Sequence, residues 1–347
     1  MIVTADDAAG DQVAHPPGHS MTGPTGPTGL YRPLTVADAV EILADGAADL
    51  LAGGTDLVPA LRTGRRRPRR IVALRRVLEL RTRGASADGL IVGAGVTYHD
   101  LAGWSLAPGL AAMARVVGSP QIRNLGTVGG ALGTADPRGD LLTFLSAADA
   151  EVVLHSVHGA RTVAISSYLA DGRSPVELIT AVRLPRPCGP QVYLKVGSRQ
   201  AASAALVSCA LVVDRVRERV ACAISGVASR PIRPVAAEDF VREGVDWSTG
   251  TASADVVAGF GELVTEAVQA ASGPLPGDLR TSVAYRRHAA GVLAARAAGR
   301  CLSGPQPRPT AGAPAAPGGS GAPGGSGAPA TPGASGYQRA AGGHGHE

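Results

Sequence analysis

The stretch that decides how this chain is interpreted runs from Val117 to Asp140 and reads VGSPQIRNLGTVGGALGTADPRGD. Glycine lets backbone N–H groups approach a ligand, because it has no side chain. Successive N–H groups in such a loop can form a concave anion site. A second stretch, Ala52-Gly53-Gly54-Thr55-Asp56, has a similar composition. We expect these two glycine loops to hold one diphosphate together.

The surroundings of the earlier stretch support this expectation. Leu50 and Leu51 are apolar and predict a short buried strand that runs into the Gly53-Gly54 turn. The residues from Asp56 to Leu61 predict the first turns of a helix, where Pro59 is tolerated. A strand, a glycine turn and a helix N-terminus in succession favour phosphate binding.

A third glycine-containing segment, Leu90–Gly95, reads LIVGAG and invites comparison with a dinucleotide-binding fingerprint. That fingerprint requires a glycine three positions after Gly95, where this chain has Tyr98. Thr97 and Asp100 have the spacing of a helix capping box instead, as do Thr35 and Asp38. We therefore expect no Rossmann site at this segment.

Composition places the chain among globular proteins. It has 347 residues, 45% of them hydrophobic, and a formal charge of +5 that is carried almost wholly by arginine. Lys195 is the single lysine, so it is the one position with a compact, flexible ammonium group. The four cysteines form no Cys-x-x-Cys pair, which suggests neither a zinc site nor an iron–sulfur cluster.

The chain shows no apolar N-terminal core of a secretory signal and no apolar run of membrane-spanning length. Together with the cysteine pattern, this predicts a cytoplasmic protein. Residues 65–70 read RRRPRR. Three interpretations remain open for this basic stretch: a solvated loop, a docking surface for a protein partner, and a nucleic-acid site. No interleaved aromatic residues or known motif support nucleic acid, and we predict no nucleic-acid partner.

The order of apolar segments predicts the domain organisation. Residues 1–29 and 303–347 are rich in Gly, Pro and other small or polar residues, and we expect a disordered leader and a disordered tail. The prolines Pro185, Pro187 and Pro190 mark a boundary. Residues 30–187 are predicted as one domain with two subdomains split near residue 85, and residues 188–302 as a second domain of strands followed by two helices.

Four segments carry a family likeness. They are Leu51–Leu57 (LAGGTDL), Ile122–Gly130 (IRNLGTVGG), Tyr193–Arg199 (YLKVGSR) and Tyr285–His288 (YRRH). In this order they resemble the FAD-binding medium subunit of the molybdenum hydroxylases, which include carbon monoxide, xanthine and aldehyde dehydrogenases. The resemblance covers about residues 30–302.

The resemblance implies an α+β fold. It consists of a two-subdomain FAD-binding fold, of the type shared with vanillyl-alcohol-oxidase-like flavoproteins, and a small domain with a three-stranded antiparallel sheet and helices. By position it also implies the cofactor-binding residues, with Asp140 as a contact to sugar or ribityl hydroxyls and Lys195 near the flavin ring. These residues are Ala52, Gly53, Gly54, Thr55, Asp56, Leu57, Thr127, Val128, Gly129, Gly130, Asp140, Ile179 and Lys195.

The implied function is electron transfer within a heterotrimer, or its dimer. An iron–sulfur small subunit would deliver electrons that a molybdenum-cofactor large subunit removes from the substrate, and FAD on this chain would pass them to an acceptor. Neither catalytic nor metal-binding residues are predicted in this chain itself. Two alternatives remain: a self-contained FAD-dependent oxidoreductase, and a non-catalytic nucleotide-binding scaffold protein.

Two positions depart from the family pattern. The family often has Asn where this chain has Ala131, and many members have Ser where it has Asp136. The first difference removes a side-chain amide beside the expected diphosphate site. The second adds a negative charge there, so we expect flavin affinity or potential to differ.

Overall fold

A computed structural model describes residues 29–197, 204–271 and 281–304. The predicted leader and tail lie outside these residues, except for Gly29, Ser303 and Gly304. Within the described ranges, no helix combines the length and the apolar character that are needed to cross a bilayer.

The first part of the fold is a small parallel sheet with two connecting helices. Its strands pair in the order β1-β3-β2, and Leu51 at the end of β2 lies opposite Ala73 at the end of β3. The predicted capping box at Thr35 and Asp38 starts the first helix and is confirmed. The elements are β1 (Gly29–Tyr31), α1 (Val36–Ala44), β2 (Asp49–Leu51), α2 (Leu57–Arg62) and β3 (Arg70–Ala73).

The second part is a five-stranded antiparallel sheet with six helices. Two 3-10 turns, Leu74–Arg76 and Leu78–Arg81, lead into it. The order of its strands is β4-β5-β8-β6-β7. The elements are β4 (Arg83–Ser86), β5 (Gly89–Gly93), α3 (Tyr98–Ala102), α4 (Pro108–Arg115), α5 (Pro120–Leu125), α6 (Val128–Thr134), α7 (Asp140–Ala147), β6 (Glu151–Ser156), β7 (Gly159–Ala164), α8 (Ile165–Asp171) and β8 (Leu178–Leu184).

The third part is an antiparallel sheet, in the order β11-β10-β9, that is covered by helices. Because side chains alternate across a strand, β10 contributes to two cores: Ala210 packs with the first two parts, whereas Cys209 and Leu211 pack with the last helices. The elements are β9 (Gln191–Gly197), β10 (Ala205–Asp214), β11 (Arg219–Ser225), α9 (Val235–Glu243), β12 (Val245–Asp246), β13 (Thr251–Ala252), α10 (Ala254–Ala271) and α11 (Val283–Leu302).

Arg233 ties the third part to the end of α7. Its guanidinium donates two hydrogen bonds to the Glu238 carboxylate, at 2.7 and 2.8 Å, and others to the Ser146 carbonyl and Asp149. The Glu238 carboxylate also accepts the Cys222 N–H at 2.8 Å. Since the side chain of Glu238 is only 9% exposed, its charge depends on Arg233 for compensation.

Replacing Arg233 with methionine is expected to destabilise the fold by about 3–5 kcal/mol, because it leaves the Glu238 charge buried and unpaired. Urea denaturation measures the change. The matched control is Arg217→Met, which removes the exposed Arg217–Asp214 pair and is expected to cost less than about 1 kcal/mol. Equal losses of stability in the two variants would show that Arg233 does not compensate a buried charge on Glu238.

Candidate functional site

The first glycine loop has backbone donors that the protein does not use. It follows β2, and Gly54 has a φ of +73°, a conformation that favours glycine. Among the described residues, the N–H groups from Gly53 to Asp56 donate to no protein acceptor. The hydroxyl of Thr55 donates to the Asp56 carboxylate at 3.0 Å. This loop therefore offers several adjacent N–H groups to a ligand.

The two predicted loops touch each other through backbone atoms. A Cβ atom added to Gly53 would lie 1.8 Å from the Leu125 carbonyl oxygen, which is far inside van der Waals contact. Only glycine permits this approach. The contact joins the end of β2 to the connection between α5 and α6.

The second stretch, Val117–Asp140, is not one loop, which corrects our initial interpretation. It contains two short helices, α5 and α6, and enters α7 at Asp140. Ser119 caps α5 and Thr127 caps α6, each by accepting an N–H three residues later. Both caps are serine or threonine, the residue types that suit this position.

Most N–H groups of the second motif are already bound inside the protein. Val128 donates to the Val96 carbonyl at 3.0 Å, and Gly129 donates to the Ala94 carbonyl at 2.7 Å. The N–H of Gly130 donates to the Thr127 hydroxyl at 3.1 Å. A Cβ at Gly129 would lie 2.7 Å from the Ala94 Cβ, so this glycine lets α6 pack against the end of β5. The motif therefore holds α6 against the residues that follow β5, and most of its N–H groups are not free to bind a ligand.

Both glycine motifs line one cleft of about 700 Å³, within the range of ligand sites of about 300–1,000 Å³. The predicted residues that line it are Ala52, Gly53, Gly54, Thr55, Asp56, Leu57, Thr127, Gly129, Gly130 and Ile179. Val128, Asp140 and Lys195 are not among the lining residues. Val128 is 2% exposed and faces the core.

Asp140 and Lys195, which we assigned separate roles, form an ion pair with each other. The Lys195 ammonium lies 2.8 Å from Asp140 Oδ2, and the Tyr193 hydroxyl donates to the other carboxylate oxygen. Their side chains are 9% and 14% exposed, for Asp140 and Lys195 respectively. Burial raises the pKa of Asp140 above its usual value, although Lys195 and Tyr193 oppose the rise. Burial and the Asp140 charge both raise the pKa of Tyr193.

Asp136, one of the two departures, also lines the cleft. Its carboxylate is held by Arg138, which donates from its backbone N–H at 2.8 Å and from its guanidinium at 3.0 and 3.1 Å. The negative charge that we expected Asp136 to add is thus compensated locally. Ala131 packs on the main core within α6.

Sequence reasoning missed part of the cleft wall. Ala94, Gly95 and Thr97 line it, although the fingerprint test at this segment fails and β5 pairs only antiparallel. The sequence signal for this wall is the run of closely spaced small residues after β5, which lines a cleft without matching a Rossmann pattern. The predicted capping box at Thr97 and Asp100 is confirmed. Arg65, Arg66, Arg75 and Arg81 also line the cleft.

The residues present fit a dinucleotide. The free N–H groups of Gly53–Asp56 suit a diphosphate, since such groups in a concave loop bind anions without a metal. Leu178, Ile179 and Leu80 give the same cleft apolar walls, which suit an aromatic ring system. Flavin adenine dinucleotide combines both chemistries.

Comparison with known proteins agrees with this geometry. Residues 25–187 match the sequence profile of a family described as the FAD binding domain in molybdopterin dehydrogenase. The chain is 30% identical over 258 residues to the glyceraldehyde dehydrogenase medium chain of Sulfolobus acidocaldarius, covering 71% of this chain and 88% of that protein. It is 28% identical over 281 residues to the carbon monoxide dehydrogenase medium chain of Afipia carboxidovorans, covering 78% and 95%.

A solved structure gives the same result at the level of the fold. The crystal structure of a cyanide-inactivated Cu,Mo-CO dehydrogenase contains a chain that superposes with a TM-score of 0.70 at 28% identity. The match covers 81% of this chain and 99% of that one. This chain belongs to the family of FAD-binding medium subunits of the molybdenum hydroxylases.

Proposed function

We propose that this chain is the electron-transfer subunit of a molybdenum hydroxylase complex. It takes electrons from an iron–sulfur small subunit and passes them to an acceptor, while a molybdenum-cofactor large subunit oxidises the substrate. The observation that carries the proposal is the meeting of both glycine motifs in one cleft, with free backbone donors at Gly53–Asp56. Four free cysteines agree with a reducing, cytoplasmic location.

The domain division is part of the proposal. The first two sheets, ending at Ala73 and Leu184, would form the two subdomains of a vanillyl-alcohol-oxidase-like FAD-binding fold over residues 30–187. Residues 188–302 would form the smaller domain. The sheet topology supports this division, because β9, β10 and β11 form a three-stranded sheet of their own.

In this proposal, each group of residues has a definite task. The N–H groups of Gly53–Asp56 bind the diphosphate, and Leu178 with Ile179 limits water access to the apolar end of the cleft. Asp140 and Lys195 form an ion pair, so any effect of the ammonium charge on a bound flavin would be partly compensated by the carboxylate. FAD, when bound, supplies the electron-accepting chemistry that protein side chains lack.

Gly53→Ala tests the cofactor site. Overpacking of about 1–3 kcal/mol at the Leu125 carbonyl should separate the two motifs and weaken FAD binding by about ten- to a hundredfold. Titration of the purified chain, followed by flavin absorption and fluorescence, measures the affinity. Gly103→Ala is the matched control, because a Cβ there meets no atom within 4 Å. If wild-type chain supplied with FAD binds none, as judged by the flavin bands of the protein, the proposed function is wrong.

A second pair of variants tests the charge arrangement. Lys195→Gln should lower the flavin reduction potential, because it removes positive charge. Asp140→Asn should raise the potential, because it leaves the Lys195 charge uncompensated. Each shift is expected to be tens of millivolts, since about 30 mV corresponds to about 1.4 kcal/mol in a two-electron couple.

Potentiometric titration of the FAD-loaded chain measures both shifts. Shifts of the same sign would indicate a general loss of packing around the pair. Unchanged potentials in both variants would show that the pair does not act on the flavin.

A further inference from the structure

Five arginines line the cleft, and they differ in their partners. Arg66 lies 3.9 Å from the Asp49 carboxylate, and Arg173 donates to backbone carbonyls of its own loop. The other three are Arg65, Arg75 and Arg81. Among the described residues, none of these three pairs with a carboxylate.

The acidic residues of the cleft are mostly occupied. Asp49 pairs with Arg66, and Asp136 pairs with Arg138 at 3.0 Å. Asp100 lies 3.8 Å from Arg83 and accepts from Thr97. Asp56 is the remaining carboxylate, and it accepts from the Thr55 hydroxyl. The three arginines therefore give the cleft an excess of positive charge.

The parallel pairing of β2 and β3 places Arg75 beside the first glycine loop. Leu51 and Ala73 lie opposite each other where the two strands end. The glycine loop follows Leu51, and Arg75 lies two residues after Ala73, so both leave the sheet at the same edge. In open parallel sheets, the carboxyl edge is where ligands bind.

Hydrogen bonds hold two of the three guanidinium groups. Arg81 donates to the Arg75 carbonyl at 2.8 Å across the two 3-10 turns. Leu74, Val77 and Leu80 anchor the same turns in the core, which leaves the arginines facing outward. The Arg65 guanidinium donates to the Thr63 hydroxyl at 3.1 Å.

We propose that Arg65, Arg75 and Arg81 recognise the diphosphate of the dinucleotide and make the cleft prefer FAD over flavins without phosphate. The inference rests on the proposed function. The N–H groups of Val128, Gly129 and Gly130 already donate within the protein, so these three contribute less to anion binding than the free N–H groups of Gly53–Asp56. In this proposal the free N–H groups of Gly53–Asp56 and the three guanidinium groups carry most of the attraction for the diphosphate.

The test compares FAD with riboflavin, which has no phosphate. Full-length chain freed of flavin is titrated with each by fluorescence, at low and at high ionic strength. In the Arg65→Gln/Arg75→Gln/Arg81→Gln variant, FAD affinity at low salt should fall about tenfold to thirtyfold, about threefold per exposed arginine. Its salt dependence should flatten, because screened charges have been removed. Riboflavin affinity should change by less than about twofold.

Arg67→Gln/Arg76→Gln is the matched control, because both arginines are exposed and neither lines the cleft. It should bind FAD as the wild type does. Unchanged FAD affinity and salt dependence in the triple variant would overturn the inference, as would equal losses for FAD and riboflavin. Should the triple variant fail to fold by circular dichroism, the single Arg75→Gln variant decides, with an expected loss of about threefold for FAD alone.

Failure of the two proposals can be told apart. If wild-type chain binds neither FAD nor riboflavin, the proposed function falls. If wild-type chain binds FAD and the arginine variants bind it equally well, only the arginine assignment falls.

Discussion

The close approach of Gly53 to the Leu125 carbonyl is the contact on which the cleft depends. It brings the segment after β2, in the first part of the fold, against the junction of α5 and α6, in the second part. A side chain at position 53 would hold these backbones apart, because its Cβ would overlap the carbonyl oxygen. A similar approach, of Gly129 to Ala94, then fixes α6 against β5. The cleft exists because two glycines allow three backbone segments to meet.

The two glycine motifs differ in how their backbone N–H groups are used. The earlier motif keeps its N–H groups unbonded, whereas the later motif uses them to join the helix to the 94–96 segment. Glycine permits close packing in both motifs, at Gly53 and at Gly129, but only the earlier motif also keeps a run of unbonded N–H groups. Similar sequences thus have different physical roles, which depend on what lies opposite each backbone.

Local signals in the sequence predicted much of the fold. Thr35 and Thr97 each start a helix through a capping box, because the partner carboxylate is only three residues away. The short helix α5 was missed, although Ser119-Pro120 is a favourable helix start. The glycines of that stretch predict an anion-binding loop, whereas α6 is held by contacts with residues distant in sequence, such as Ala94 and Val96.

Contacts between residues distant in sequence also limited the prediction of the site. Ten predicted residues meet in the cleft, since their motifs carry the resemblance. That Asp140 pairs with Lys195 could not be predicted, because the two lie 55 residues apart and either could have faced a ligand alone. The arginines of residues 65–70 also have different environments, which composition alone does not predict. Arg70 is buried and donates to two backbone carbonyls, whereas Arg65 lines the cleft.

The Asp140–Lys195 pair and the exposed arginines differ in burial and in how their charge is stabilised. Lys195 is nearly buried and has a carboxylate partner, since an isolated ammonium group would be costly to desolvate. Arg75 and Arg81 are exposed, so water stabilises their charge and no internal carboxylate is needed. An exposed charge attracts an anion weakly and is screened by salt. A buried pair responds little to salt but changes the electrostatic environment when one member is removed. In the proposed roles, the exposed arginines would capture the cofactor, and the buried pair would tune its electronic properties.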